Sequence, residues 1–582
     1  MPLSAFRRAH ARLPHRHASC LLLLALLCLS LTAAAQPPAA AVASAHPLAT
    51  EAGIEVLRRG GNAFDAAVAV AAALAVVEPY GSGLGGGGFF LLHRAEDGQQ
   101  VMLDARETAP GAAHADMYLD DDGQPRPRAS LDGPLAAAIP GTPAALEHLA
   151  LRYGALPLDE SLAPAIRLAR EGFAVDEHYR RMARFRLQAL RADPETERIF
   201  LHQGEVPPEG WRLRQPELAE TLQRIAAQGA AGFYHGPVAE RLTAGVRAKG
   251  GIWRIEDLAN YRLEERAPLV GEYHGIRIVS APPPSAGGIG LIAALNILDG
   301  YPLESLAPAT RTHLIVEAMR RAYRDRAEHL GDPAFVDMPL RRLLSPDYAA
   351  GLRAAINPER AMPSAALAPA RAVAPAPGEH TTHFSVLDGT GNRVAATLTL
   401  NTMFGAAFVP PGTGVLLNNE MDDFSAQPGK PNLYGLVGNA ANAIAPGKRP
   451  LSSMTPTFLE SPHGIAVLGT PGGGRITSMV LLSTLEFAAG RGAGAMAARP
   501  RFHHQYLPDH IEHEPDALPA EERARLEAMG HAFKDVGRRY GDMQVVVWDC
   551  RRDTVEAASD PRGIGTAQVL PVRRAQRAAA CG

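Results

Sequence analysis

Thr381, Thr399 and Asn401 are the first residues of this 582-residue chain whose types and spacing suggest chemistry. Residues 382–387, Thr-His-Phe-Ser-Val-Leu, have the composition of a strand. Asp388-Gly389-Thr390-Gly391-Asn392 is a turn cluster, and residues 393–400 read as a second strand. If this five-residue loop sets Leu387 opposite Arg393, then Ser385 faces Ala395, His383 faces Thr397 and Thr381 faces Thr399. The two-residue period of a strand also puts Thr397, Thr399 and Asn401 on one face. A loop one residue shorter would break the pairing. Threonine is common in strands for reasons of packing alone, so the hairpin by itself decides nothing.

What precedes the hairpin is unusual. Residues 362–378, MPSAALAPARAVAPAPG, are rich in Ala and Pro and contain no aromatic residue. That composition predicts an extended or flexible linker. A linker running straight into a strand is odd inside one domain. It makes sense if the linker ends one polypeptide and Thr381 begins another.

The rest of the chain supplies the frame. Apolar residues make up 46% and charged residues 20%, with a formal charge of −3, so a large core is possible and nothing points to nucleic acid. The N-terminus has Arg7, Arg8, Arg12 and Arg16, then an apolar run from Leu21 to Leu31, then Ala33-Ala34-Ala35. This is the three-part plan of a secretory signal over residues 1–35, and its apolar run is too short to span a bilayer. Its removal predicts a periplasmic or extracellular protein of formal charge −7. Cys20 and Cys28 leave with the leader, and Cys550 and Cys581 remain. Residues 46–80 read as helix, closed by Glu78-Pro79. Gly81 to Gly88 follows and precedes the strand Phe89-Phe90-Leu91-Leu92, without the Gly-Lys-Ser/Thr of a phosphate loop. Residues 140–350 hold several helical patterns, Thr312 to Arg326 among them.

Several long motifs occur together. They are Thr381-Thr382-His383-Phe384-Ser385-Val386, Thr399-Leu400-Asn401-Thr402, Leu417-Asn418-Asn419-Glu420-Met421-Asp422-Asp423-Phe424, Arg449-Pro450-Leu451-Ser452-Ser453-Met454 and Gly469-Thr470-Pro471-Gly472-Gly473. Upstream stand Arg106-Glu107 and Gly60-Gly61-Asn62-Ala63-Phe64-Asp65-Ala66. In order and spacing this set resembles the γ-glutamyltransferase family, from about His46 to Arg562. The resemblance implies an α+β fold, the four-layer αββα sandwich of N-terminal nucleophile hydrolases. It also implies a precursor that cuts itself between His380 and Thr381 into a large subunit, 36–380, and a small subunit, 381–582, which stay together as a heterodimer.

The chemistry explains the cut. A threonine hydroxyl needs a base to take its proton. An internal threonine has none, whereas a terminal one has its own α-amine, with a free pKa of about 7.7–8.0. By resemblance Thr381 is the nucleophile, Thr399 supports its hydroxyl and amine, and Gly472 and Gly473 form the oxyanion hole. Arg106, Ser452 and Ser453 would take the substrate's α-carboxylate, and Asn401, Glu420 and Asp423 its α-ammonium. Residues 427–448 resemble a lid that some members have, with Tyr434 as its gate. The implied activity is γ-glutamyl transfer from glutathione-like compounds to water, amino acids or peptides, with no metal or organic cofactor.

Other readings are weaker. His503, His504, His510, His513 and Glu514 are dense, but they lack the His-Glu-x-x-His spacing of a zinc site. No Gly-x-Ser-x-Gly elbow is present. A cephalosporin or β-lactam acylase of the same fold remains the alternative. The residues suited to a free amino-acid head group favour the γ-glutamyl reading.

Overall fold

The computed structural model describes residues 36–367, 381–426, 432–433, 436, 438 and 440–572. Two antiparallel sheets form its centre. The seven-stranded sheet runs Thr566–Pro571, Ala39–Ser44, Thr382–Leu387, Arg393–Thr399, Gly87–Arg94, Gln99–Ala105, Glu264–Arg266. The six-stranded sheet runs Thr554–Ser559, Gln544–Asp549, Gly464–Gly469, Thr457–Ser461, Ile276–Ser280, Leu269–Tyr273.

Side-chain alternation builds the layers. Along Gly87–Arg94, Phe90 and Leu92 join a core with the helices Pro47–Arg58 and Ala63–Val77, while Phe89 and Leu91 face the second sheet. The far side of the second sheet is covered by the helices Gly287–Leu298 and Ile476–Ala488. The order is therefore helix, sheet, sheet, helix. Strands so placed are buried on both faces. That is why Thr382–Leu387 and Arg393–Thr399 are buried at every position, polar ones included.

The segment expected as one helix over 46–80 is two helices, Pro47–Arg58 and Ala63–Val77. Gly60 at φ +95° turns the chain out of the first. Asn62 then caps the second in a reciprocal box with Asp65. The second helix is apolar on all sides because it is wholly enclosed.

The helical pattern over 312–326 lies inside the helix Pro308–His329. Cys550 is disulfide-bonded, whereas Cys20, Cys28 and Cys581 lie outside the described residues. So do the leader 1–35 and His380. Among the described residues no helix is long and apolar enough to cross a membrane.

Candidate active site

The hairpin has the register that the five-residue turn demands. Leu387 pairs with Arg393, Ser385 with Ala395 and His383 with Thr397. The turn is held by Asp388, whose Oδ1 accepts from the backbone N–H of Thr390, Gly391 and Asn392. One residue beyond the paired strands, Thr381 Oγ1 stands 3.3 Å from Thr399 Oγ1. Thr399 Oγ1 also accepts from the Asn401 N–H at 2.8 Å. Asn401 sits at φ +73°, a conformation asparagine tolerates better than most residues. Its Nδ2 donates to the Asn419 carbonyl at 2.9 Å, which ties the hairpin to the next motif.

A small cavity of about 20 Å³ opens over Thr381. Its walls include Arg106, Thr399, Asn401, Glu420, Asp423, Ser452, Ser453 and Gly473. Motifs separated by more than three hundred residues thus meet at one hydroxyl. Gly472 is next to the cavity wall rather than in it. Tyr434 lies outside the described residues; Leu436, from the same segment, lines the cavity.

Three elements shape the walls. Asn418 Oδ1 accepts from the Ala138 and Glu420 N–H groups, fixing where Glu420 begins its short turn. The Ser452 segment is pinned from both sides, its N–H donating to the Pro284 carbonyl and its carbonyl accepting from the Ala286 N–H, each at 2.8 Å. Gly472, at φ +137°, and Gly473, at φ +54°, make a tight bend that leads into the helix Ile476–Ala488. Ile476, the first residue of that helix, itself touches the cavity, which brings the helix's positive end to its edge. The Tyr323 hydroxyl donates to the Gly474 carbonyl and anchors the bend from behind.

The electrostatics are lopsided. Arg106 is 1% exposed, donates through Nε to the Pro450 carbonyl at 3.1 Å, and pairs with Glu420 and with Asp423, the latter at 2.5 Å. Glu107 Oε2 lies 3.6 Å from the same guanidinium. Three carboxyl groups therefore surround one cation. Burial, against the pull of Arg106, pushes Glu420 well above the usual carboxylate range. It likewise pushes Glu107 up to about 7. Glu420 Oε2 and both Glu107 oxygens have no hydrogen-bond partner among the described residues. Such a cluster is suited to receiving a cationic group.

Both serine hydroxyls are acceptors toward the protein. Ser452 Oγ accepts from the Met454 N–H at 3.1 Å, and Ser453 Oγ from Arg326 at 3.4 Å. Their own protons are left to donate into the cavity, as an anion requires.

Among the described residues no histidine lines the cavity. His383 is fully buried between Thr397 and Ser385, at 2.8 and 3.2 Å, and burial lowers its pKa to about 3. The histidines of 503–513 are taken up by structural bonds, such as His503 with Ser478 at 2.7 Å and His513 with the Glu514 carbonyl at 2.8 Å. Elsewhere His313, Glu317 and His531 have ligand-like spacing. There Glu317 is engaged by Arg320 and Arg321 and His313 bonds His531 at 2.8 Å, while His531 Nδ1 has no hydrogen-bond partner among the described residues.

Sequence reasoning did not pick out Tyr323 or Arg326, and it gave Glu107 no role. Tyr323 and Arg326 sit on a helix of mixed charged and apolar residues, where nothing in the pattern sets them apart.

An αββα sandwich with a threonine leading a central strand, and that threonine facing a polar cavity, defines the class of N-terminal nucleophile hydrolases. A family model described as Gamma-glutamyltranspeptidase matches residues 49–570. The glutathione hydrolase proenzyme of Pseudomonas sp. (strain A14) is 45% identical over 514 residues, covering 86% of this chain and 88% of that protein. The glutathione hydrolase proenzyme of Escherichia coli (strain K12) is 41% identical over 536 residues, covering 90% of each. Among solved structures, the cephalosporin acylase from Bacillus halodurans is similar with a TM-score of 0.79 at 28% identity, covering 92% of this chain and 96% of that one. The chain belongs to the γ-glutamyltranspeptidase family.

Proposed function

We propose that the chain is the precursor of a γ-glutamyl-transferring hydrolase that acts on glutathione and similar γ-glutamyl amides. The observation that supports this best is the meeting of Thr381 with an acid cluster and a pair of donor serines in one cavity. A γ-glutamyl group has an ammonium and a carboxylate on the same carbon. Glu420, Asp423 and Asn401 suit the first; Ser452, Ser453 and the Arg106 fork suit the second. An acylase substrate without a free ammonium would leave Glu420 and Asp423 unused, which disfavours the acylase alternative.

The chain would act in two stages. In the precursor the Thr381 nitrogen is an amide. Its hydroxyl oxygen attacks the His380 carbonyl carbon, the C–N bond breaks, and an ester links His380 to Oγ1. Water cleaves the ester, leaving a His380 carboxylate and a free Thr381 amine. That amine then takes the hydroxyl proton as Oγ1 attacks a donor's γ-carbonyl. The oxyanion meets the Gly472 and Gly473 N–H groups and the helix end behind them. The proton passes to the departing amine, and a γ-glutamyl ester remains on Thr381. Water releases glutamate from it; an amino acid or peptide amine takes the group instead. Thr399 holds the hydroxyl and amine in line, and no metal or cofactor enters any step.

The precursor would be exported by its 1–35 leader to the periplasm or beyond, and cut into 36–380 and 381–582. Both sheets contain strands from both sides of the cut, which supports a lasting heterodimer.

A denaturing gel and a γ-glutamyl anilide assay test the reading together. Wild type is expected to run as two bands and release the anilide, and Thr381→Ala as one band without activity. Full activity from an uncut chain would refute it.

A further inference from the structure

Resting on the γ-glutamyl reading above, we propose that residues 361–367 stay in the mature enzyme as a strap behind the oxyanion bend, with Leu367 as a positioning residue that acts on Gly474 through Tyr323 and Leu436.

The composition of 362–378 predicts a flexible or extended linker, yet its first residues are fixed. The Ala361 N–H donates to the Met529 carbonyl at 2.8 Å, and the Met362 N–H to Glu317 Oε1 at 3.3 Å. Ser364, the one hydroxyl residue in 362–378, is fully buried. Its N–H donates to Asp509 Oδ2 at 2.7 Å, and its Oγ accepts from Arg320 at 2.6 Å. Arg320 also pairs with Asp509, which closes the three into a triangle. Ser364 then opens the short turn Ser364–Ala366, which delivers Leu367. A stretch of Ala and Pro has few side-chain bonds to offer, so a single serine decides where this one is held.

Leu367 packs against the apolar cluster of Tyr323, Leu436, Tyr506 and Leu507. That cluster meets the bend at two points. The Tyr323 hydroxyl donates to the Gly474 carbonyl. Leu436 lines the cavity, and a Cβ added to Gly474 would stand 3.2 Å from Leu436 Cδ2, so the leucine rests on that glycine. Gly474 directly follows Gly472 and Gly473. Three glycines in a row have no side chains with which to fix their own position, so the bend takes its place from its neighbours. In a close-packed interior a gap left at Leu367 is passed on to what it supports.

The strap's partners come from both sides of the cut. Arg320 and Tyr323 precede Thr381, whereas Asp509, Leu436, Tyr506 and Leu507 follow it. None of these contacts involves the bond between His380 and Thr381, so cutting that bond removes none of them. The end of the large subunit is thereby held by the small one, and it supports a wall of a site whose nucleophile lies on the other chain.

The test is single-turnover release from a γ-glutamyl anilide, with matured enzyme in saturating excess and two gel bands confirming the cut. This rate constant reports acylation and does not depend on what fraction of the enzyme is folded. Leu367→Ala is expected to lower it roughly 10- to 100-fold, the scale of a small misplacement relayed to the reacting centre. Leu367→Met, which conserves volume, should keep it within about threefold. Ser364→Ala, which loosens the strap further back, should lower it in the same direction. In a Leu436→Ala background the effect of Leu367→Ala should shrink, because the relay is already broken. An unchanged rate constant in Leu367→Ala would overturn the proposal. A lower melting temperature with that constant unchanged overturns it equally, since it marks a merely structural role. If Leu367→Ala stays uncut, Leu367→Val decides by the same measurement: a lowered constant supports the proposal and an unchanged one refutes it. A wild type that matures yet releases no anilide refutes the γ-glutamyl reading itself.

Discussion

Thr381 and Thr399 face each other at the open end of one hairpin, with their hydroxyl oxygens 3.3 Å apart. Thr399 already accepts the Asn401 N–H.

Removing that hydroxyl should slow both stages. Thr399→Ala is expected to lower the rate of self-cutting and of anilide release by roughly 10²-fold, while Thr399→Ser largely keeps both. A gel time course from freshly made precursor measures the first, and steady-state kinetics the second. Normal cutting in Thr399→Ala would remove Thr399 from the first stage.

Arg106 holds three acids together. Arg106→Met leaves Glu107, Glu420 and Asp423 without their cation, a change of the kind that costs about 3–5 kcal/mol. Thermal unfolding of the uncut Thr381→Ala chain, with and without Arg106→Met, should show a clear drop in melting temperature. Adding Glu420→Gln should recover part of it, because one of the stranded acids is then gone.

The bend at Gly472 tolerates no side chain. A Cβ there would meet Met479 Cε at 2.5 Å, and φ is +137°. Gly472→Ala is expected to lower kcat by roughly 10²–10³-fold through a displaced oxyanion site. Met479→Ala should not rescue it, since the backbone strain remains. Pre-steady-state acylation, rather than binding, should report the loss.

Glu78 ties stability to pH. It is buried at the end of the helix Ala63–Val77, next to Thr382, and burial pushes its pKa from 4.5 to about 8. The folded chain then binds a proton that the unfolded chain has lost. Its contribution is fully present below the unfolded pKa and is lost as pH rises toward the folded one. The melting temperature should thus fall from about pH 5 to about pH 8, and Glu78→Gln should flatten that slope. An identical slope in the variant would exclude Glu78 as the cause.

Much of the site could be read in the sequence because strand geometry is local. A turn of fixed length sets the register, and the register sets which hydroxyls meet. The helix break before Ala63 was written there too, in Gly60 and Asn62, but it was hidden by the apolar run around it. The engagement of Arg106 could not be read. Its partners lie more than three hundred residues away, and no periodicity reports which acids a buried arginine will face. Arg326 was silent for the same reason, since its meaning depends on Ser453 across the fold.

Each of the two sheets is built from strands on both sides of Thr381. The strand Thr382–Leu387 is flanked by Ala39–Ser44 on one side and, beyond Arg393–Thr399, by Gly87–Arg94 on the other. Neither piece made by a cut at Thr381 owns a complete sheet. Folding the uncut chain is a search within one molecule; refolding the cut pair is a search between two, each with bare sheet edges. Maturation at Thr381 would then act as a ratchet. An enzyme cut there would keep a shape that its separated parts no longer encode, and its lifetime would rest on how slowly it opens rather than on any equilibrium with its unfolded state.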